Sequence, residues 1–393
     1  MKVEKAIKNK ILNRKNSIEL VVSEKCQNNC KYCYRVKKHS ASPIDYINVE
    51  RADILLSNFL GVFDLDVTYY QSLNIELFGG DALLYYNKFK LILDLCMNKY
   101  KFNKMIVPTN TRLLTELNSC DIEELLEVSP NLLFSLSVDG NPADKQRPLS
   151  KFGRMLSYDE KVNYDKLIYL AHKYKFGFHP MFSFDNYDIW YDSFKFFVDK
   201  GVYPYLLEVR HSLTPEEALK CVSQLRKIRI FVDSMNDRKI TRQLNTISAS
   251  QVPRGLGCSA HTTFCIMPNG DVPFCHRVVD PPWVALNLLT KEWDVSKHIT
   301  LTSAHHHSNH PICMICPIRD VCTGQCAGAS YEYWGDPWIP IASICDYMQL
   351  KFYVFINTFD DWANFMSKCD MKQLESNVFK VFGESKVKEL LND

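Results

Sequence analysis

The chain has 393 residues, 46% of them hydrophobic and 12% aromatic, which is too apolar for a mostly disordered protein and long enough for two domains. Lys and Arg number 47 against 45 Asp and Glu, a formal net charge of +2, so the strong basic bias of a dedicated nucleic-acid binder is missing. No apolar run approaches the ~18–20 residues that cross a bilayer, and the basic start (Lys2, Lys5, Lys8, Lys10) leads into a short apolar stretch with no signal-peptide core. A soluble, cytoplasmic chain with neither a nucleic-acid nor a membrane partner is expected.

After a basic segment over 1–16, short β-branched runs alternate with longer stretches of helical period as far as about residue 235. The runs at 18–23, 74–78, 105–109, 132–138, 177–183 and 205–210 read as strands. The stretches 49–59, 85–100, 113–128, 159–174, 189–200 and 215–234 space their apolar residues at three and four, as amphipathic helices do. Six βα units predict an α/β fold, a partial (β/α)6 barrel of the TIM type over 17–245. Loops after the strands carry the polar and glycine-rich residues: 23–34, Gly79-Gly80-Asp81, Asn110, Asp139-Gly140 and Arg210-His211. In such a barrel those loops share the mouth where chemistry is done.

Beyond Ala249 the sequence becomes turn-rich and cysteine-rich, which suits a small metal-held domain over 250–350; helical periodicity returns over 351–393. Fifteen cysteines are many for a chain that can bury a core without disulfides. Three lie close together near the N-terminus and eight between 258 and 345, a clustering that points to metal in a reducing compartment.

The first set, Cys26-Gln-Asn-Asn-Cys30-Lys-Tyr-Cys33, forms one loop directly after the first predicted strand. Three thiolates hold three irons of a cubic [4Fe–4S] cluster and leave the fourth open, whereas a structural zinc would want a fourth ligand nearby. This CxxxCxxC loop, with Tyr32 before its last cysteine, resembles the signature of the radical S-adenosylmethionine (SAM) enzymes. The resemblance implies that the open iron chelates SAM and that one electron from the cluster yields methionine and a 5′-deoxyadenosyl radical. Phe78-Gly79-Gly80-Asp81 resembles that family's GGE-type motif, which takes the methionyl ammonium, with Asp in place of Glu and Ala82 in place of Pro. Thr109-Asn110 resembles its Thr-Asn-Gly stretch. Ser137-Val-Asp139-Gly140 resembles its Ser-x-Asp-Gly motif near the SAM carboxylate and ribose. Asp144-Lys-Gln-Arg147 resembles an Asp-x-x-Arg element. Taken singly, each is also a common turn or cap.

The second set reads CX2C-X5-C-X3-C over Cys313, Cys316, Cys322 and Cys326, then Cys345, with Cys258, Gly270 and Cys275 upstream. It resembles the SPASM auxiliary-cluster domain of a subset of radical SAM enzymes; the competing reading is a pair of zinc ribbons. With Cys265, eight thiolates suffice for two more [4Fe–4S] clusters, three in all. Resemblance to sulfatase-maturing members assigns Cys258, Cys265, Cys275 and Cys326 to a nearer cluster and Cys313, Cys316, Cys322 and Cys345 to a farther one.

The same resemblance implies an oxidoreductase that modifies, and most plausibly crosslinks, side chains of a ribosomally made precursor peptide, supplied with electrons by a flavodoxin or ferredoxin. The residues before Cys26 are too few for a fused leader-peptide recognition domain, so any such domain is expected to be on a separate protein or unnecessary. The first alternative is conversion of a sulfatase Cys or Ser to formylglycine. That family places an aspartate base directly after the cysteine, where this chain has His276. The second is a non-enzymatic iron–sulfur or zinc protein. Glu208 and Arg210, on alternate positions of one predicted strand, either reach SAM or substrate or pair with each other. His305, His306, His307 and His310 read as a polar loop in preference to a metal tract, and Cys96, Cys120, Cys221 and Cys369 as small apolar residues.

Overall fold

The β-branched run near the start of the chain folds as strand β1 (Ser17–Ser23), in which every residue after Ser17 is buried. Burial on both faces is what a strand inside a parallel sheet requires, and it explains the near-continuous apolar run. In chain order β1 is followed by α1 (Val49–Phe63), β2 (Asn74–Gly79), α2 (Tyr86–Asp94), β3 (Lys104–Thr109), α3 (Ser119–Val128), β4 (Leu132–Leu136), α4 (Tyr164–Tyr174), β5 (Gly177–Phe178), β6 (Met181–Ser183), α5 (Trp190–Asp199), β7 (Leu207–Val209) and α6 (Pro215–Ser234). Then come β8 (Thr263–Ile266), β9 (Asp271–Pro273), β10 (Val284–Asn287), β11 (Glu292–Trp293), α7 (Ala327–Trp334), α8 (Ala342–Thr358), α9 (Met371–Phe382) and α10 (Glu384–Asn392). The computed structural model describes residues 8–9, 11–13, 15–28, 30–34, 46–140, 150–151, 154–155, 163–204, 207–209, 211–235, 262–299, 301, 310–322 and 324–392. Among them no helix is long and apolar enough to cross a membrane. Two compact units divide the chain, one of Met1–Val138, Asp144–Phe178 and Ser259–Ala304, the other of Asp139–Ala143, His179–Cys258 and His305–Asp393.

In the first unit β8-β1-β2-β3-β4-β5 form a six-stranded sheet, parallel throughout. One face carries Ile18, Leu20, Ile75, Leu77, Met105, Val107 and Phe134, none exposed to solvent. Helices supply the matching apolar stripes, Leu55, Leu56 and Phe59 of α1 and Phe89 and Ile92 of α2. Asn48 caps α1 by accepting from Arg51 N, and Asn118 and Asp121 close a reciprocal capping box on α3. The α/β architecture expected from the sequence is therefore present, and the strands at 18–23, 74–78, 105–109 and 132–136 fall where the pattern puts them.

Two strands differ. The run over 177–183 breaks at His179-Pro180 into β5 and β6, because proline has no N–H to give to a ladder. β6 then pairs with β7 in a separate two-stranded sheet of the second unit. The sixth strand of the main sheet is β8, drawn from the cysteine-rich segment and registered Ser17↔Thr263 on the far side of β1.

The second unit is built around α8, whose residues from Leu350 to Ile356 are all buried, as in a helix surrounded by protein. Trp190, Phe194, Val222, Leu225, Ile228, Phe355 and Trp362 share one core with it. Arg229 on α6 makes paired contacts to Asp361 at 3.0 and 3.1 Å and a further pair to Asp233.

Candidate functional site

In the first unit the three-cysteine loop leaves the C-terminal end of β1 and lies against the end of β2. The close approach is made by glycine: a Cβ on Gly79 would stand 1.9 Å from Ser23 O, and one on Gly80 would stand 1.9 Å from Lys25 O. Gly79 also has φ +145, a conformation that side-chain-bearing residues rarely adopt. Gly80 N donates to Ser23 O at 2.8 Å and Asp81 N to Lys25 O at 3.0 Å, so the Gly-Gly-Asp segment is laced to the residues that lead into Cys26.

Asp81 is buried and its carboxylate faces the chain. It accepts from Leu83 N at 2.9 Å, from Asn110 N at 2.9 Å and from Thr109 Oγ1 at 3.1 Å. The end of β2 is thereby clasped to the end of β3. Asn110 carries the contact onward, donating from Nδ2 to Gln27 Oε1 at 2.8 Å and to Cys26 Sγ at 3.5 Å, while Asn28 N reaches the same sulfur at 3.4 Å. Surrounding protein and the Asp81 charge raise the Cys26 thiol, with Cys30 adding to the effect. Cys26 keeps an exposed edge, and Cys30, Tyr32 and Cys33 are half-buried. Three thiols on one exposed loop, with amide donors on the first sulfur, fit a cluster held by three cysteines.

The sheet face opposite the helices carries a second arrangement. Cys265, Glu19, Glu76, Ile106 and Leu133 stand side by side in one register row across β8, β1, β2, β3 and β4. Glu19 meets His276 Nδ1 at 2.8 Å. The His276 ring packs 4.3 Å from Phe78 and 5.5 Å from Tyr34, and Arg277 lies over the Tyr34 ring at 5.3 Å. His276 thus touches the residue before Gly79 and the residue after Cys33. Burial, and then the neighbouring Glu19, push the Glu76 carboxyl up to about 8. Sequence reasoning singled out His276 but missed both glutamates. Their signal was a lone carboxylate at the centre of an apolar strand, Ile18-Glu19-Leu20 and Ile75-Glu76-Leu77.

Ser137 N donates to Thr109 O at 2.8 Å, tying the end of β4 to that of β3. Asp139, in the second unit, is fully buried and accepts from Met181 N at 2.9 Å. Glu208 lies in β7 opposite Phe182, with its side chain outside the described residues, as are Arg147, Arg210, Cys258 and His305 to His307. His310 takes the loop role expected of it, accepting from Ile312 N at the start of a short helical turn. Cys96 and Cys221 are buried, whereas Cys120 is exposed and Cys369 half-buried.

In the second unit Cys313, Cys316, Cys322 and Cys345 sense one another. Burial and then the charges of Cys322, Cys313 and Cys316 push the Cys345 thiol up to about 12, and burial, Cys322 and Cys316 push Cys313 up to about 11. Amide donors point at three of these sulfurs: Ile318 N at Cys316, Gly324 N at Cys322 (3.4 Å) and Gln325 Nε2 at Cys345 (3.0 Å). Among the described residues no three His, Cys, Asp or Glu side chains are arranged around a single ion. Cys265 and Cys275 belong to the first unit and Cys326 to the second.

No protein-family model matches the chain, and no curated protein is similar enough in sequence to match it. Solved structures do match. His-tagged anSMEcpe with bound AdoMet has a TM-score of 0.67 at 17% identity, over 93% of this chain and 98% of that one. The chain has the fold of anSMEcpe. anSMEcpe with AdoMet and the Cp18Cys peptide gives a TM-score of 0.62 at 15% identity, over 96% and 98% of the two chains. Streptococcus suis SuiB bound to its precursor peptide SuiA gives 0.53 at 15% identity, over 87% and 79%. Within this fold the three-cysteine loop, Gly79-Gly80-Asp81 and Thr109-Asn110 lie together at the ends of β1, β2 and β3.

Proposed function

We propose that the chain is a radical SAM enzyme that oxidatively modifies side chains of a ribosomally made peptide, crosslinking being the favoured outcome, and that it holds three [4Fe–4S] clusters. The observation that carries this reading is the junction of the three-cysteine loop with Gly79 and Gly80, where a Cβ added to either glycine would stand 1.9 Å from the backbone leading to Cys26. Cys26, Cys30 and Cys33 would hold the first cluster and leave one iron for SAM; when bound, that pair supplies the 5′-deoxyadenosyl radical. The Gly79-Gly80 segment would receive the methionyl group, with Asp81 holding it in place through Thr109 and Asn110. Cys313, Cys316, Cys322 and Cys345 would hold the farther auxiliary cluster, and Cys258, Cys265, Cys275 and Cys326 the nearer one, a route out for substrate electrons. Similarity to proteins solved with Cp18Cys and SuiA supports a peptide substrate. A flavodoxin or ferredoxin would supply the electron, and a separate protein would recognise any leader sequence.

Formation of formylglycine is a second reading, favoured by the Glu19–His276 contact, which places a carboxylate-supported imidazole directly after Cys275. The mass change of the product peptide separates the two. Anaerobic reconstitution should give ~12 iron atoms per chain, and replacing Cys26, Cys30 and Cys33 together by Ala should remove about a third of them and abolish 5′-deoxyadenosine formation. Stoichiometric zinc with little iron in anaerobically purified protein sinks the proposal.

A further inference from the structure

Gln325 is the residue before Cys326 and is buried, with 6% of its surface exposed. Its side chain is paired with the backbone of one residue: Oε1 accepts from Ile341 N at 2.9 Å and Nε2 donates to Ile341 O at 2.9 Å. That pairing fixes which end of the amide is nitrogen, because a flipped side chain would set N–H against N–H and oxygen against oxygen. The same Nε2 also donates to Cys345 Sγ, 3.0 Å away. Cys345 is in the first turn of α8, and Ile341 is the N-cap of that helix. One side chain thus joins the CX3C loop, the helix start and the sulfur.

We propose that Gln325 is the positioning residue that sets the reduction potential of the farther auxiliary cluster, through its hydrogen bond to Cys345 Sγ; this rests on the three-cluster reading above. An N–H donor draws electron density from a thiolate, stabilises the reduced and more negative cluster, and so raises its potential. The Cys322 sulfur receives a backbone N–H, which substitution cannot remove, whereas the Cys345 sulfur receives one that the side chain alone provides. The low-dielectric setting strengthens the effect, since both partners are largely enclosed.

The test is an EPR-monitored redox titration of the anaerobically reconstituted full chain, with Gln325→Leu and Gln325→Glu beside wild type. Leu keeps the volume and loses the donor; Glu keeps an acceptor for Ile341 N and loses the donor to sulfur. The couple in question is the one missing from Cys313→Ala. In both variants its reduced-to-oxidised ratio at a fixed potential should fall about fivefold to tenfold, the latter equal to a ~59 mV drop for a one-electron couple. The other two couples should stay put. A variant with full iron and a potential within about twofold of the wild-type equilibrium overturns the proposal. Loss of about four irons in both variants also overturns it and makes Gln325 a strut for α8. If wild type itself takes up no such cluster, the three-cluster reading fails first, and that result is visible before any variant is titrated.

Discussion

His276 Nδ1 lies 2.8 Å from Glu19 Oε2, and Glu19 stands beside Glu76 in the register of β1 and β2. Two carboxylates therefore share one row with Cys265, and an imidazole meets the first of them. Burial first, and the neighbouring Glu19 carboxylate second, push the Glu76 carboxyl up to about 8.

This makes stability depend on pH in a predictable direction. Glu76 rises from 4.5 to about 8, so between those values the folded state keeps a proton that the unfolded state releases. Raising the pH through that window lowers stability, and the loss is complete above it. Gln at this position never ionises. Glu76→Gln should therefore gain on wild type, on the order of 2 kcal/mol, between pH 5 and pH 8.5 in urea denaturation of the cluster-free chain. Equal pH dependence in the two proteins would rule out Glu76 as the source.

Gly80→Ala places a methyl group where 1.9 Å is available to Lys25 O. The cysteine loop must move away from β2. We expect about a third of the iron to be lost and 5′-deoxyadenosine formation to fall by about 100-fold, with circular dichroism unchanged. An active Ala variant would mean that the loop is not held by this contact.

Asp81→Ala strips acceptors from Leu83 N, Asn110 N and Thr109 Oγ1 inside the protein and should cost about 3 kcal/mol of stability. Asp81→Glu restores the residue usual in the resembling motif. Its longer reach does not suit contacts built at 2.9 Å, so it should also bind SAM more weakly than wild type, not more tightly. Calorimetric titration with SAM on the reconstituted chain decides; tighter binding by the Glu variant would assign the carboxylate to SAM.

Leu374 is fully buried on α9, beside Gln373, whose Nε2 reaches Ile315 O in the CxxC loop at 3.4 Å. Asp370 N fastens the same segment to Pro317 O at 3.0 Å. Leu374→Ala should cost about 3 kcal/mol and loosen this clasp, so that the farther cluster bleaches first in air. Iron loss spread evenly over all clusters would count against the clasp.

Much of this was legible in the chain. The first four strands are apolar runs between helical stretches, and a parallel sheet requires that pattern. What was not legible depended on pairing at long range. Pro180 ends a strand that periodicity alone carried through to 183, and only the register of Ser17 with Thr263 brings a strand of the cysteine-rich segment to β1. Sequence shows that Asp81 brings a carboxylate but not which backbone N–H groups close on it. The helices after residue 350 held no chemical motif, yet Asp370 and Gln373 brace a cysteine loop. Short polar side chains that bond to backbone leave no periodic trace.

The position of β8 has a consequence for biosynthesis. β1 ends at Ser23 and its outer neighbour begins at Thr263, so 263 − 23 = 240 positions separate the flanks of the strand that launches Cys26. At about 5–20 residues per second, a ribosome needs ~12–48 s to supply them. Throughout that interval β1 presents one unpaired edge, with the Cys26, Cys30 and Cys33 thiols hanging from its end. The loop encoded near the start of the chain is therefore among the last parts of the sheet to gain its complete support.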